Sequence, residues 1–216
     1  MLSAWFYKLN DMSHDTWLHQ GVRAGIRPLI KTRITPNHIT TARLVTGLLS
    51  VSLFAVGGSP ARYYAAAIFL LSMLLDRADG ELARLSGKSS PWGHKYDLAC
   101  DMLCNALVFV GIGIALRHNS ILGYAAIPMG IIAGGAVIYI FWWVTGIEAL
   151  HGQRAAEIQI IPGVDPDDAM LIIPAAAVLN WMEPLLVAAS IGAPTFAWLA
   201  HRYRWQNLLT GRTKEG

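Results

Sequence analysis

Asp76-Arg77-Ala78-Asp79-Gly80-Glu81-Leu82-Ala83-Arg84 and Gly93-His94-Lys95-Tyr96-Asp97-Leu98-Ala99-Cys100-Asp101 stand at the adjoining ends of two strongly apolar segments. Between them lies only a turn-forming cluster, Ser86-Gly87-Lys88-Ser89-Ser90-Pro91, too short to be a domain. If both segments are membrane helices, the pair is an antiparallel hairpin. On a helix Asp76 and Asp79 (i, i+3) share a face, as do Asp97 and Asp101 (i, i+4). The hairpin turns those faces toward each other and gathers four hard oxygen donors, the ligand chemistry of Mg²⁺, Mn²⁺ or Ca²⁺ rather than of zinc. A carboxylate at a membrane boundary is costly unless something cationic pairs with it, so this cluster is the candidate functional site.

Outward from the hairpin, the composition supports the membrane reading. The 216 residues are 54% hydrophobic and 14% charged, too apolar for an ordinary soluble domain. Six segments approach the ~20 apolar residues that cross a bilayer: 39–57, 61–85, 93–116, 122–149, 167–182 and 184–200, the fifth being short and carrying Pro174. The expected fold is an all-α integral membrane protein, a single membrane domain over 1–216 with a six-helix bundle at 39–200. Residues 13–33 set Trp17, Val22, Ile26, Leu29 and Ile30 against His19, Arg23, Arg27 and Lys31. That pattern predicts an N-terminal amphipathic helix in the membrane interface, with Ser13 as N-cap. Met1 opens a polar segment without a basic stretch and following apolar run, so a cleaved signal peptide is not expected.

Basic residues cluster before the first span, around the second and fourth connections and in the tail, leaving only Arg62 and Arg117 on the other side. By the positive-inside rule both termini and the aspartates face the cytoplasm, most simply at the inner membrane of a bacterium. The net charge of +3 expresses that asymmetry, and no nucleic-acid partner is expected. Cys100 and Cys104, one turn apart, read as small buried side chains, since no Cys-x2-Cys pair or His-rich cluster suggests zinc.

Within the hairpin, Asp76, Gly80 and Ala83 form one stripe (i, i+4, i+7), where small residues clear space between helices for a flat ligand. Arg84 supplies a planar guanidinium suited to a phosphate. A pyrophosphate needs more positive charge than one arginine gives, and cations held by the aspartates would supply it. Together these residues point to phosphoryl transfer at a membrane surface.

The spacing D-x2-D-G-x2-A-R-x8-G-x3-D-x3-D, filled by Asp76, Asp79, Gly80, Ala83, Arg84, Gly93, Asp97 and Asp101, resembles the defining motif of the CDP-alcohol phosphotransferase (CDP-alcohol phosphatidyltransferase) family. The resemblance implies a CDP-linked donor bound against Gly80, Ala83, Arg84 and Gly93. It implies metal, Mg²⁺ or Mn²⁺ and two ions, held by Asp76, Asp79, Asp97 and Asp101. It implies Asp101 as base, with Asp97 beside it: an acceptor alcohol loses its proton near Asp101 and attacks the phosphorus distal to cytidine, and CMP leaves. A homodimer is implied as well. Upstream, Thr35-Pro36-Asn37-His38 followed by Thr41 and Arg43 resembles the family's entry to its first span, so Asn37, Thr41 and Arg43 are expected to face the nucleotide.

Two readings within the family remain open. In the first, the donor is CDP-diacylglycerol and the acceptor a small polar alcohol, with membrane lipids as surroundings. In the second, a CDP-activated headgroup is moved onto a lipid or a polyol phosphate, and the wording Asp-Gly-Glu-Leu-Ala-Arg resembles the di-inositol-phosphate-phosphate synthase branch. A small cation-coupled transporter is the reading from another class, but transporter sites lie near the bilayer midplane and these aspartates lie at span ends. Branches that use phosphorylated polyols carry a basic cluster late in the fourth span, where this chain reads Val144-Thr145-Gly146-Ile147-Glu148. Arg154, Arg202 and Arg204 are the nearest substitutes, so an unphosphorylated acceptor is expected.

Overall fold

The computed structural model describes residues 25, 26, 28, 30, 32–88, 90–151 and 166–211, and among them the secondary structure is helical, without strands. The helices are α1 (Pro36–Val56), α2 (Ser59–Ser86), α3 (Pro91–Ala115), α4 (Ala126–His151), α5 (Ile172–Val178) and α6 (Met182–Gly211). The interfacial helix expected over 13–33 falls largely outside the described residues, as does Arg154. Of that segment, Ile26 is buried against Ile39 and Leu82.

Pro36 opens α1, since its fixed φ suits a first helical position. The start is closed by two hydrogen bonds: the His38 N–H donates to the Thr35 carbonyl (3.0 Å) and the Thr35 N–H to His38 Nδ1 (3.3 Å). At the other end Gly57 and Gly58 take φ of 75° and 80°, a conformation costly for a side chain, and reverse the chain straight into α2. The α2–α3 turn also follows its sequence: Gly87 ends α2 in the left-handed region, and Ser90 Oγ accepts from the Gly93 N–H at 3.0 Å as an N-cap.

Packing runs in chain order. α1 lies against α2 and α3, α3 against α4, α4 against α6, and α5 against α2. Phe54, Phe69, Val108, Ile112, Ile173 and Leu186 form the core of the bundle half away from the aspartates. α3 and α4 approach through small residues: a Cβ on Gly134 would lie 2.6 Å from the Ala106 carbonyl oxygen, and one on Gly130 would strike that of Phe109. Membrane helices, lacking a hydrophobic drive to associate, commonly meet through such small-x3-small faces.

Four helices, α1, α3, α4 and α6, are long and apolar enough to cross a membrane. α2 is long enough, but Arg62, Asp76, Arg77, Asp79, Glu81 and Arg84 keep it out of that set. Where a fifth span was expected over 167–182, the chain forms a 3₁₀ turn (Pro166–Leu171), α5 and a reversal with Asn180 at φ 60°. At 2.0 and 1.5 Å per residue these elements reach about 22 Å, short of the ~30 Å hydrocarbon core. They run along α2 from the level of Asp76, where Met170 lines one cavity with Met73, Asp76 and Arg77, to that of Arg62, whose Nη1 donates to Asn180 Oδ1 (2.5 Å).

Candidate active site

The site is built on the inward stripe of α1. Thr40, Arg43, Gly47, Ser50 and Phe54 recur at steps of three and four and are buried against α2 and α3. Arg43 is only 4% exposed. Its Nε lies 3.4 Å from Asp76 Oδ1 on α2, its Nη1 3.8 Å from Asp97 Oδ1 on α3, and its Nη2 makes the closest contact, with Asp101 Oδ1. The Arg43 carbonyl accepts from Ser72 Oγ at 3.0 Å, which ties the same turn of α1 to α2.

Around that guanidinium Asp76, Asp97 and Asp101 each place a carboxylate oxygen within 4.8 Å of the others. Asp79 is set one step aside. It is 3% exposed, and its Oδ2 accepts from Thr40 Oγ1 at 2.7 Å. The hairpin thus brings all four predicted aspartates to one end of the bundle, three on a common point and the fourth held by a hydroxyl from α1.

The remaining predicted residues divide into two groups. On α2, Arg84 lies over Gly80, 3.8 Å from where a Cβ would stand there, with Ala83 half-buried beside it. The Arg84 guanidinium is 3.4 Å from Glu81 Oε1 and more than half exposed, while Glu81 is buried. At the α1–α3 contact, Asn37 Oδ1 passes Gly93 so closely that a Cβ there would come within 2.7 Å. Thr41 Oγ1 donates to the Asn37 carbonyl (2.8 Å) and lies 3.1 Å from the Tyr96 hydroxyl, whose ring stacks on Trp92. Asn37, Thr41, Gly93, Tyr96 and Trp92 therefore form one patch at the mouth of the site.

Arg43 departs from the expectation that it faces the nucleotide. Three carboxylates packed this closely repel one another strongly in a partly dry site, and the arginine three residues after Thr40 is the cation α1 can bring to them. Thr40 and Glu81 were not singled out from sequence. The signal for Thr40 lay in the 40-43-47-50 spacing, which selects it over neighbouring Thr41 for the buried face. Cys100 and Cys104 are buried thiols, as expected. The side chains of Glu148 and Arg204 lie outside the described residues.

The donor set fits a hard divalent cation. Three carboxylates and one guanidinium leave a formal charge of two negatives on the converging oxygens, before Asp79 is counted. Nε and Nη1 of Arg43 are buried without a well-formed hydrogen bond, so the planar guanidinium fills this three-sided site imperfectly.

Comparison with known proteins gives this geometry a family. The profile described as CDP-alcohol phosphatidyltransferase matches residues 33–162, more than half of the chain, and includes every residue just placed around the aspartates. The chain belongs to the CDP-alcohol phosphatidyltransferase family. That family is one of transferases, generally metal-dependent, that use a CDP-linked substrate and an alcohol acceptor. One relative, the bifunctional IPC transferase and DIPP synthase of Rubrobacter xylanophilus, is 31% identical over 106 residues, covering 46% of this chain and 22% of that protein. Another, the inner membrane protein YnjF of Escherichia coli, is 33% identical over 126 residues, covering 57% of this chain and 52% of that protein. The chain thus spans about half or less of these relatives' length. Four helices apolar enough to cross a bilayer, and a relative named as an inner membrane protein, mark this member of the family as a membrane protein.

Proposed function

We propose that the chain transfers a phosphatidyl group from CDP-diacylglycerol to an acceptor alcohol and releases CMP, a step of phospholipid synthesis. The observation that carries this reading is the convergence of Asp76, Asp97 and Asp101 on one point, beside an arginine whose guanidinium is open to a phosphate. The residues that would hold Mg²⁺ or Mn²⁺ are Asp76, Asp79, Asp97 and Asp101, with two ions in the full set. Bound there, the metal supplies Lewis-acid neutralisation of the pyrophosphate charge.

Arg84 offers its planar fork to a donor phosphate oxygen, and Gly80, Ala83 and Gly93 keep the walls low enough for the nucleotide. Asn37 and Thr41 border its entrance. Asp101 takes the proton of the acceptor hydroxyl. The acceptor oxygen forms a bond to the phosphorus distal to cytidine, and the bond from that phosphorus to the bridging oxygen breaks with its electron pair leaving on CMP. Asp97, one turn before Asp101 and held with it by Arg43, fixes the carboxylate frame in which this transfer occurs. A lipid donor is supported by the apolar side chains Val45, Leu48, Leu49 and Leu85, which α1 and α2 leave exposed.

The same reading places the site and both termini in the cytoplasm, with residues 1–216 as one membrane domain, six crossings in which α2 and the short segment 166–178 are counted, an interfacial helix over 13–33 and a homodimer. The basic residues around the site end support this orientation.

A second reading, transfer of a CDP-activated polar headgroup, is favoured by the relative named as an IPC transferase and DIPP synthase. Purified protein given CDP-diacylglycerol, a panel of alcohols and Mg²⁺ or Mn²⁺ tests both. CMP release that stops in EDTA, returns with metal and is lost in Asp97→Asn supports the first. Release from CDP-linked headgroups alone would replace it with the second, and turnover after thorough chelation would remove the metal from either.

A further inference from the structure

α1 and α2 run antiparallel, and hydrogen bonds from three hydroxyls join them along their contact. Ser50 Oγ donates to the Ala65 carbonyl (2.8 Å), Ser72 Oγ to the Arg43 carbonyl (3.0 Å) and Thr40 Oγ1 to Asp79 Oδ2 (2.7 Å). The first two end on backbone and fix how the helices seat against each other. The third ends on a carboxylate. The seating of α1 is therefore held without Thr40, whose hydroxyl acts on one side chain.

Thr40 is 2% exposed. Its Oγ1 also lies 3.2 Å from the Pro36 carbonyl, but a hydroxyl has one hydrogen, and the shorter contact to a charged acceptor is the stronger. Asp79 stands three residues after Asp76 on α2, yet it lies outside the group of Asp76, Asp97 and Asp101 that converges on one point. Its carboxylate is held by α1 instead. Anchored through Oδ2, it keeps its other oxygen to offer in a defined direction. Hydrogen-bonded partners of this kind orient metal ligands, and removing one typically weakens ion binding by ~10–100-fold.

We infer that Thr40 is a positioning residue for the metal: its hydroxyl fixes Asp79 apart from the other three aspartates, so that the cluster offers two unequal ion positions and only the one Asp79 completes depends on Thr40. This rests on the metal reading above and divides its four ligands between the two ions. Thr40 acts through Asp79, not by touching an ion itself.

The test adds Mn²⁺ stepwise to metal-stripped protein in detergent and counts bound ions by electron paramagnetic resonance, for wild type, Thr40→Val, Thr40→Ser and Asp79→Asn. Wild type is expected to bind two ions. Thr40→Val keeps the branched shape and loses the hydroxyl. It should bind the first ion as wild type does and the second about tenfold or more weakly, and Asp79→Asn should lose the same step. Thr40→Ser should restore the second ion, and Thr41→Val, whose native hydroxyl meets Tyr96 instead, should leave both unchanged. A second ion bound at wild-type strength by Thr40→Val would overturn the inference. Equal weakening of both ions with a lowered Tm would mark Thr40 as a packing residue and overturn it too. Wild type binding a single ion would overturn the division alone, whereas wild type binding no Mn²⁺ would remove the metal reading, and this inference with it.

Discussion

Arg43 balances the charge of the site from within the protein. It is the buried cation on which Asp76, Asp97 and Asp101 converge, supplied by a helix that carries no aspartate of its own. Removing one partner of a buried ion pair typically costs ~3–5 kcal/mol, because the other charge is left unmet. Arg43→Gln should therefore lower the Tm in EDTA by several degrees, and Mg²⁺ should recover a larger part of that stability in the variant than it adds to wild type. Thermal denaturation in detergent with and without metal reads this, and equal shifts in both conditions would reduce Arg43 to a packing role. Arg84 is the complementary case, a guanidinium at the rim that meets Glu81 and is otherwise turned outward. Arg84→Lys keeps the charge but loses the fork, so the KM for the CDP donor should rise about tenfold while the Tm holds. An unchanged KM would mean that Arg84 does not touch the donor.

Among the elements, the α3–α4 contact is the least forgiving. The Ala106 carbonyl stands where a side chain on Gly134 would begin, and overpacking of this kind costs ~1–3 kcal/mol. Gly134→Val should lower the Tm by several degrees and reduce the yield of folded protein, whereas the equivalent change at Gly135, with open space around its Cβ position, should leave the Tm nearly unchanged. Size-exclusion profiles and denaturation curves of the two variants check it. Much of this architecture was legible beforehand. The starts and turns of α1, α2 and α3 follow Pro36, Gly57-Gly58, Gly87 and Ser90-Pro91, and the two pairs of aspartates meet because a hairpin at i, i+3 and i, i+4 leaves them little choice. What escaped was decided by helix rotation and by contacts distant in sequence. Thr40 and Thr41 are chemically equal neighbours, and only the phase of α1 turns one to Asp79 and the other to Tyr96. Likewise, whether Arg43 meets a nucleotide or an aspartate depends on how closely α1 seats against α2 and α3. The fifth segment was read by hydropathy alone, which cannot show that it divides into a 3₁₀ turn at Pro166–Leu171 and the short helix α5.

For the whole molecule, the arrangement of charge bears on the substrate. The fourth helix lacks a basic cluster at Val144 to Glu148. An unphosphorylated alcohol should thus support faster CMP release than glycerol phosphate or inositol phosphate, by about tenfold or more for one unmatched charge. A panel in which only phosphorylated polyols react would refute this. The charges of α2 also bear on how the protein enters its membrane. Six charged side chains in one 28-residue helix make it a poor candidate for insertion alone. Its neighbour α1 is apolar, is joined to it by two glycines, and carries the arginine that meets Asp76. Once paired, the hairpin presents fewer unmatched charges to lipid than its two halves apart, because Arg43 and Asp76 meet each other. Assembly is therefore expected to proceed by co-insertion of α1 with α2, so that the ion pair which later organises the site first serves as the helix's passport through the translocation machinery.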